Sequence, residues 1–463
     1  MTERTAIDLL IEGGTVITMD ADRCIYDLGY VVIRDGKIAA VGAGASGLAA
    51  VDRFDATGMV ILPGLVNAHN HLDQCVYRSC FDGPQPDESL SFWHMALGLT
   101  RERAQAAASL SLLDLAHYGV TTTQESHFTH YHSDSTDGVC DAILDSGMRA
   151  VVGRGFSDGP QLPEPYREWS SDVIDDLNRL EKAYDSQYIT ICSEPSVSIR
   201  CTPEAITAMY DWTVDRGKRW HMHLGHHSLE LADAMEMWGM GTVQYAESLG
   251  VLGPELVAVH CTRSGLLDQE IGLLGEYQVN VAHCPSLVMR AGSVPPPIWE
   301  LEKLGARVVI GVDGSNSNNG QNIWEAMKWA VYLQRSVTGD RYLGSAEQAL
   351  EMTTIKAAQA LGMGHRVGSL EPGKEADVAL FRRDQFHLVP DAMLVSNLVY
   401  SGISTRADTV LVGGKAILRG GRSTVFDENE VVARVREAQA SMIEEAGYRG
   451  KIGLSAVWPV VTS

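Results

Sequence analysis

No two of the eight cysteines form a Cys-x-x-Cys pair, and no apolar run approaches the roughly twenty residues that a bilayer-spanning helix needs. Scattered cysteines in a chain of 463 residues read as reduced thiols, packed as small hydrophobes or lining a pocket. Cys261 and Cys284, each directly after a histidine, read as pocket wall. The opening Met1-Thr2-Glu3-Arg4-Thr5-Ala6 lacks the charged-then-apolar pattern of a signal peptide. These absences predict a cytoplasmic protein with no membrane partner. Basic residues are also scarce, 37 against 59 acidic ones, for a net charge of -22. Nucleic acids and anionic membranes both require a basic surface, so neither is an expected partner. A neutral or cationic small molecule is the easier guest.

Met59-Val60-Ile61-Leu62 runs through Pro63-Gly64 into Leu65-Val66-Asn67-Ala68-His69-Asn70-His71. In an extended strand residues i and i+2 share a face, so His69 and His71 are placed to aim two imidazoles at one point. A lone His-x-His is more often a polar strand end. Here His223, His260 and Asp313 each close an apolar run of their own further along, and the set together reads as a metal site.

The chain is longer than one ordinary domain, although a (β/α)8 barrel fills about 250 residues or more by itself. Between Leu62 and His365, apolar strands alternate with longer helical stretches, the pattern of a parallel βα repeat. Eight strands are expected: 65–67, 120–123, 150–152, 189–191, 220–223, 256–260, 279–283 and 308–313. Covering helices are expected over 104–117, 202–216, 228–249 and 321–334. Eight strands close a TIM-like barrel, whose catalytic residues lie at the strands' carboxyl ends. His69, His71, His223, His260, His283 and Asp313 fall there.

Shorter strands and turns occupy both ends of the chain. Asp35-Gly36 between apolar runs is a hairpin signal, and the same grammar returns in 376–381 and 409–418. Neither end alone suffices for a core. The expected fold is therefore α/β: residues 63–367 form the barrel, inserted into a small β-sandwich built from 1–62 and 368–422. A C-terminal helix and tail occupy 423–463.

Three segments in order carry a family resemblance: 62–71, Gly311-Val312-Asp313-Gly314-Ser315-Asn316-Ser317-Asn318-Asn319, and 368–377 leading back into the sandwich. The chain resembles the amidohydrolase superfamily of metal-dependent hydrolases, in the branch of cytosine and guanine deaminases, triazine chlorohydrolases and urea or carbamate hydrolases. The resemblance implies that His69, His71, His223 and Asp313 hold one divalent ion per subunit, with zinc the default and Fe, Co or Mn also suited to such donors. Dinuclear relatives bridge their metals through a lysine ending the fourth strand. This chain has Ile189-Thr190-Ile191-Cys192-Ser193-Glu194 instead, so one metal is expected, with Glu194 as the alternative bridge. The resemblance also implies that Asp313 takes the proton of the attacking water, that His260 steadies the developing oxyanion, and that the protein forms a homo-oligomer.

One position departs from the family. Deaminases of this branch carry glutamate three residues after the fifth-strand histidine, where this chain has His226. Imidazole transfers protons near neutrality but does not copy a carboxyl working against an amidine edge. This favours hydrolysis of a urea, carbamate or thiocarbamate C–N bond, with His226 protonating the departing amine. The alternative is an aminohydrolase or chlorohydrolase of a purine, pyrimidine or s-triazine. A plainer reading of His226 and His227 is a helix start facing solvent. Gln74, Trp93, His127, Phe156, Arg200, His283 and Met289 are further pocket candidates, each as easily a packing residue.

Overall fold

The structure, a computed structural model, describes residues 7–81, 90–164 and 166–453. The first six and last ten residues of the expected terminal segments lie outside the described residues. The eight expected parallel strands all form, in two four-stranded sheets. One contains Leu65–Asn67, Val120–His127, Arg149–Phe156 and Ile189–Pro195; the other contains Trp220–Leu224, Leu256–His260, Asn280–His283 and Arg307–Ile310. Neighbours pair parallel throughout, and most of their residues are buried, as expected where helices cover a parallel sheet.

Backbone hydrogen bonds link the two sheets at both margins. On one side the His223 N–H donates to the Ser196 carbonyl at 3.2 Å; on the other Ala68 donates to Ile310 and Asp313 donates to His69, each at 3.1 Å. The carboxyl ends of the first, fifth and eighth strands are thereby brought together.

Several boundaries differ from expectation, some of them for visible reasons. The eighth strand stops at Ile310, and Asp313 sits three residues beyond it with φ 64°. His260 and Cys261 are also left-handed, at φ 79° and 46°. Non-glycine residues in this region cost about 1–2 kcal/mol each, and such strain gathers at functional sites. The expected 228–249 helix is two, Ser228–Trp238 and Thr242–Ser248, because Gly239 caps the first in the left-handed conformation. The 202–216 helix is Pro203–Val214, with the Thr202 side chain accepting the Ala205 N–H. Arg101–His117 and Ile323–Thr338 cover the remaining expected stretches.

Both chain ends join one nine-stranded sheet. At its centre Met59–Pro63 pairs antiparallel with Val378–Arg382, 315 residues or more apart in sequence, and Leu9–Ile17 pairs parallel with both Met59–Pro63 and Asp52–Asp55. The expected hairpin forms between Ile25–Arg34 and Lys37–Ala43, with Asp35 and Gly36 both at positive φ, as a tight primed turn requires. Ile11, Val31, Ile33, Ile61, Val378 and Leu380 form a core beneath this sheet.

Gly64 alone separates Met59–Pro63 from Leu65–Asn67, and a Cβ there would lie 2.1 Å from Thr121 Oγ1. Arg149, also buried, donates Nε to Asp377 Oδ2 at 2.9 Å and Nη2 to Oδ1 at 3.1 Å, crossing from the parallel sheet to the nine-stranded one. The C-terminal helix, Glu428–Glu445, buries Val431, Val435, Ala438 and Met442 at helical spacing. Its Gln439 donates Nε2 to the Val76 carbonyl at 2.7 Å, fastening the short 3-10 helix Leu72–Tyr77 that follows His71.

Candidate metal centre and active site

Three inward-facing histidines, His69, His71 and His223, are each held by the ring nitrogen that points away from the centre. His69 Nδ1 lies 3.0 Å from Gln124 Oε1, His71 Nδ1 2.6 Å from the Ser126 carbonyl, and His223 Nδ1 2.7 Å from the Ser196 carbonyl. An Nδ1–H facing an oxygen acceptor leaves the Nε2 lone pair free for a metal, and the contact fixes the ring. The His69 Nε2 is buried without a partner. Burial pushes His69 and His223 well below the ordinary histidine pKa, with neighbouring imidazoles adding to the effect, so both are neutral donors at pH 7.

The three histidines present ligand atoms within 4.8 Å of one another, and their ring centroids are 4.8 to 5.5 Å apart. Asp313 enters from the other side, Oδ1 3.4 Å from His71 Nε2 and 3.9 Å from His69 Nε2. Its carboxyl is buried, which raises its pKa, while His71 and the Gly314 N–H at 2.6 Å act against that rise. Three imidazoles and one carboxylate suit a divalent ion of the zinc type. Cys284 also lies among these atoms, beside His69 and Asp313, as a thiol kept protonated by burial.

A cavity of about 310 Å³ opens over this centre, lined by His71, His223, His260 and Asp313. Phe92, Trp93 and Phe128 form an aromatic side; Phe128 meets His71 edge-on at 4.9 Å, and Arg200 lies over Trp93 at 4.6 Å. His226 stacks on His260 with ring centroids 4.1 Å apart and planes within 18°. Burial, with His227 and His71 next in effect, lowers the His226 pKa to about 4.

Comparison with known proteins adds to this geometry. The model of the amidohydrolase family matches residues 60–417. The chain belongs to the amidohydrolase family. It is 31% identical over 432 residues to a 5-methylthioadenosine/S-adenosylhomocysteine deaminase of Moorella thermoacetica, covering 92% of this chain and 98% of that one. It is 30% identical over 446 residues to a 5'-deoxyadenosine deaminase of Methanosarcina acetivorans, covering 95% and 99%. Two solved structures are similar in fold. One is an adenosine deaminase from Xanthomonas campestris with bound zinc (TM-score 0.87, 24% identity, 95% and 99% covered); the other is the atrazine chlorohydrolase TrzN from Arthrobacter aurescens TC1 complexed with zinc (TM-score 0.83, 25%, 93% and 100%).

This amidohydrolase is accordingly a metal-dependent hydrolase of carbon–nitrogen bonds. Its relatives favour action on a nitrogen heterocycle over the urea and carbamate chemistry that His226 suggested. Of the residues singled out in the sequence, Gln74, Trp93, Arg200, His226 and His227 line the cavity with His71, His223, His260 and Asp313, while His69 lies buried outside its lining. His227 is also the helix start that its position suggested: its Nδ1 accepts the Glu230 N–H at 3.1 Å.

Others stand elsewhere. His127 does not line this cavity, because alternation along Val120–His127 turns it away from the Gln124 and Ser126 face. It sits between Asp73 Oδ1 and Glu125 Oε1 at 3.8 and 3.7 Å. Burial opposes its charge, yet the two carboxylates prevail and raise its pKa to about 9. His283 is fully buried, outside the cavity lining, with both ring nitrogens unpartnered and its pKa lowered by burial to about 3. Phe156 packs in the core and Met289 is partly exposed; neither lines the cavity.

Glu194 lies behind the ligands. Its Oε1 is 3.8 Å from His223 Nδ1, the ring nitrogen facing away from the centre, and it accepts the Ser126 hydroxyl. Burial pushes its pKa well above the ordinary range. Glu230 and Phe128 are cavity residues that sequence reasoning missed. Glu230 had one signal, its place three residues after a helix-capping His227, and that signal points to capping rather than catalysis.

Proposed function

We propose that this amidohydrolase is a mononuclear zinc aminohydrolase that removes the amino group from an adenine-type nucleoside. The observation that carries the reading is the meeting of the three-imidazole, one-carboxylate centre with an aromatic-sided cavity of about 310 Å³, a size suited to a small planar ligand. The deaminase relatives support it, since they match this chain over nearly its full length. His69, His71, His223 and Asp313 would hold the ion. A bound divalent ion supplies the Lewis acidity that brings the pKa of water from about 15.7 toward 7. Asp313 accepts the proton of the attacking water and passes it to the departing amine, and His260 steadies the negative charge that develops on oxygen.

The same reading takes the two four-stranded sheets as one closed (β/α)8 barrel spanning 63–367, supported by the hydrogen bonds at both margins. The nine-stranded sheet folds over its core as the sandwich of 1–62 and 368–422. Among the described residues no helix is long and apolar enough to cross a membrane, in keeping with a cytoplasmic enzyme acting on a small molecule.

The test is product analysis with zinc-loaded protein on adenosine, 5'-deoxyadenosine, 5-methylthioadenosine, amino- and chloro-triazines, and linear ureas and carbamates. Ammonia release from the adenine nucleosides is the expected result. Turnover confined to ureas or carbamates would overturn the reading in favour of the chemistry that His226 alone suggests.

A further inference from the structure

At position 226, where heterocycle deaminases of the resembled branch carry a carboxyl, this chain has an imidazole whose low pKa leaves it unprotonated at pH 7. A carboxyl nevertheless reaches the same cavity from another point. Gly225, at φ 60° and so close to Leu266 that a Cβ would lie 2.5 Å from its Cδ2, turns the chain after the fifth strand. The helix Ser228–Trp238 then begins, and its third residue, Glu230, lines the same cavity as His71, His223, His260 and Asp313. Glu230 is 2% exposed. Its Oε2 accepts the His226 N–H at 2.6 Å, and its Oε1 is buried without a partner.

We propose that Glu230, presented from the first turn of this helix, provides the carboxyl that position 226 lacks and exchanges a proton with the substrate's ring nitrogen. This rests on the aminohydrolase reading. A plainer account makes Glu230 a capping residue that returns a backbone N–H bond while His227 accepts its own N–H. Capping uses one oxygen, however, and leaves Oε1 unexplained. A helix N-terminus also favours ionisation, yet burial prevails and raises the Glu230 pKa to about 7, where a group both gives and takes a proton. The charged and titratable groups around it are His226 and His227 before the helix, Asp233 on it, Arg200 from Ser198–Arg200, His260 ending the sixth strand and Cys261 after it, and Glu270 from Asp268–Glu276.

The proton count closes. As the water oxygen bonds to the amino-bearing ring carbon, Asp313 takes one water proton, and the Glu230 carboxylic acid gives its proton to the adjacent ring nitrogen. That nitrogen receives the electron pair of the ring C=N bond. The new hydroxyl then returns its proton to Glu230 as the carbonyl forms. The C–N bond breaks with its electron pair on the amine, which takes the proton from Asp313 and leaves as ammonia. Both carboxyls end as they began.

Glu230→Gln separates the two accounts, because glutamine fills the same volume and caps at this position as glutamate does. With adenine nucleosides, the variant should keep the wild-type metal content and melting temperature and lose roughly two to four powers of ten in kcat. Wild-type kcat/KM should fall as pH rises through about 7, and this decline should be absent in the variant. Ammonia release that persists at the wild-type rate in Glu230→Gln would overturn the assignment, as would a loss with the alkaline decline intact. Wild-type protein that releases no ammonia from any adenine nucleoside would overturn the function reading itself, a distinct result.

Discussion

Two buried clusters of histidine and carboxylate flank the strand Val120–His127, and their residues interleave in sequence. Gln124 and the Ser126 carbonyl hold His69 and His71 on one side, while Glu125 and His127 meet Asp73 on the other. The first cluster has several imidazoles to one carboxylate, with ring N–H groups directed at neutral acceptors and a cavity in front. The second has one imidazole between two carboxylates and no share in the cavity lining. Stoichiometry and acceptor type, rather than residue type, thus separate the metal donors from the His127 cluster. The two groups of ligand-type atoms are similarly compact, within 4.8 Å in each case, so compactness alone does not identify a metal centre.

The sharpest way to break the comparison is to remove the one carboxylate of the first cluster. Asp313→Asn should keep the fold and lower kcat by roughly three powers of ten or more, because an amide does not accept the water proton. A metal-loaded variant with a wild-type rate in steady-state assays would show that Asp313 is a ligand at most.

Next, His69→Ala should remove most of the bound metal, measured by elemental analysis, since it deletes a ligand whose ring is fully buried and fixed by Gln124. His127→Ala, in contrast, should keep the metal but lose stability, because it leaves two buried carboxylates uncompensated. The rise of the His127 pKa from 6.5 to about 9 corresponds to on the order of 3 kcal/mol. As the folded pKa lies above the unfolded one, this contribution is fully present below about pH 6.5 and disappears as pH rises through about 9. Denaturant melts of wild type and variant should converge above that pH; parallel curves across the range would mean that His127 is neutral in the fold.

The smallest effect belongs to His227→Ala, which deletes a cap and should cost about 1 kcal/mol of stability. Its effect on rate should be far below that of Glu230→Gln. A comparable loss of kcat in both would place the proton exchange on the histidine side of the cavity.

The parallel strands were legible because most are short apolar runs and Val120–His127 opens on β-branched residues, and His69 and His71 were legible because two residues make one strand repeat. Other features depend on partners distant in sequence. Nothing near His127 reveals that Asp73 lies beside it, so a strand-end histidine read as a substrate contact. Asp313 reads as the end of an apolar run, although the strand stops at Ile310 and a left-handed turn delivers the carboxylate. Glu230 was hidden by its own regularity: a glutamate three residues into a capped helix has an ordinary explanation, and only its burial and free oxygen ask for another. The split at Gly239 had its signal in Gly239-Met240-Gly241, within a run whose apolar spacing outweighed it.

The single glycine between Met59–Pro63 and Leu65–Asn67 bears on how the molecule comes apart. With Gly64 pressed on Thr121 and the Arg149–Asp377 pair crossing the same boundary, the nine-stranded sheet has no slack linker through which to detach. Heating should therefore give one calorimetric transition involving both regions. Gly64→Ala should lower its midpoint without dividing it, since the added methyl forces apart two surfaces that neither region exposes while the other is folded.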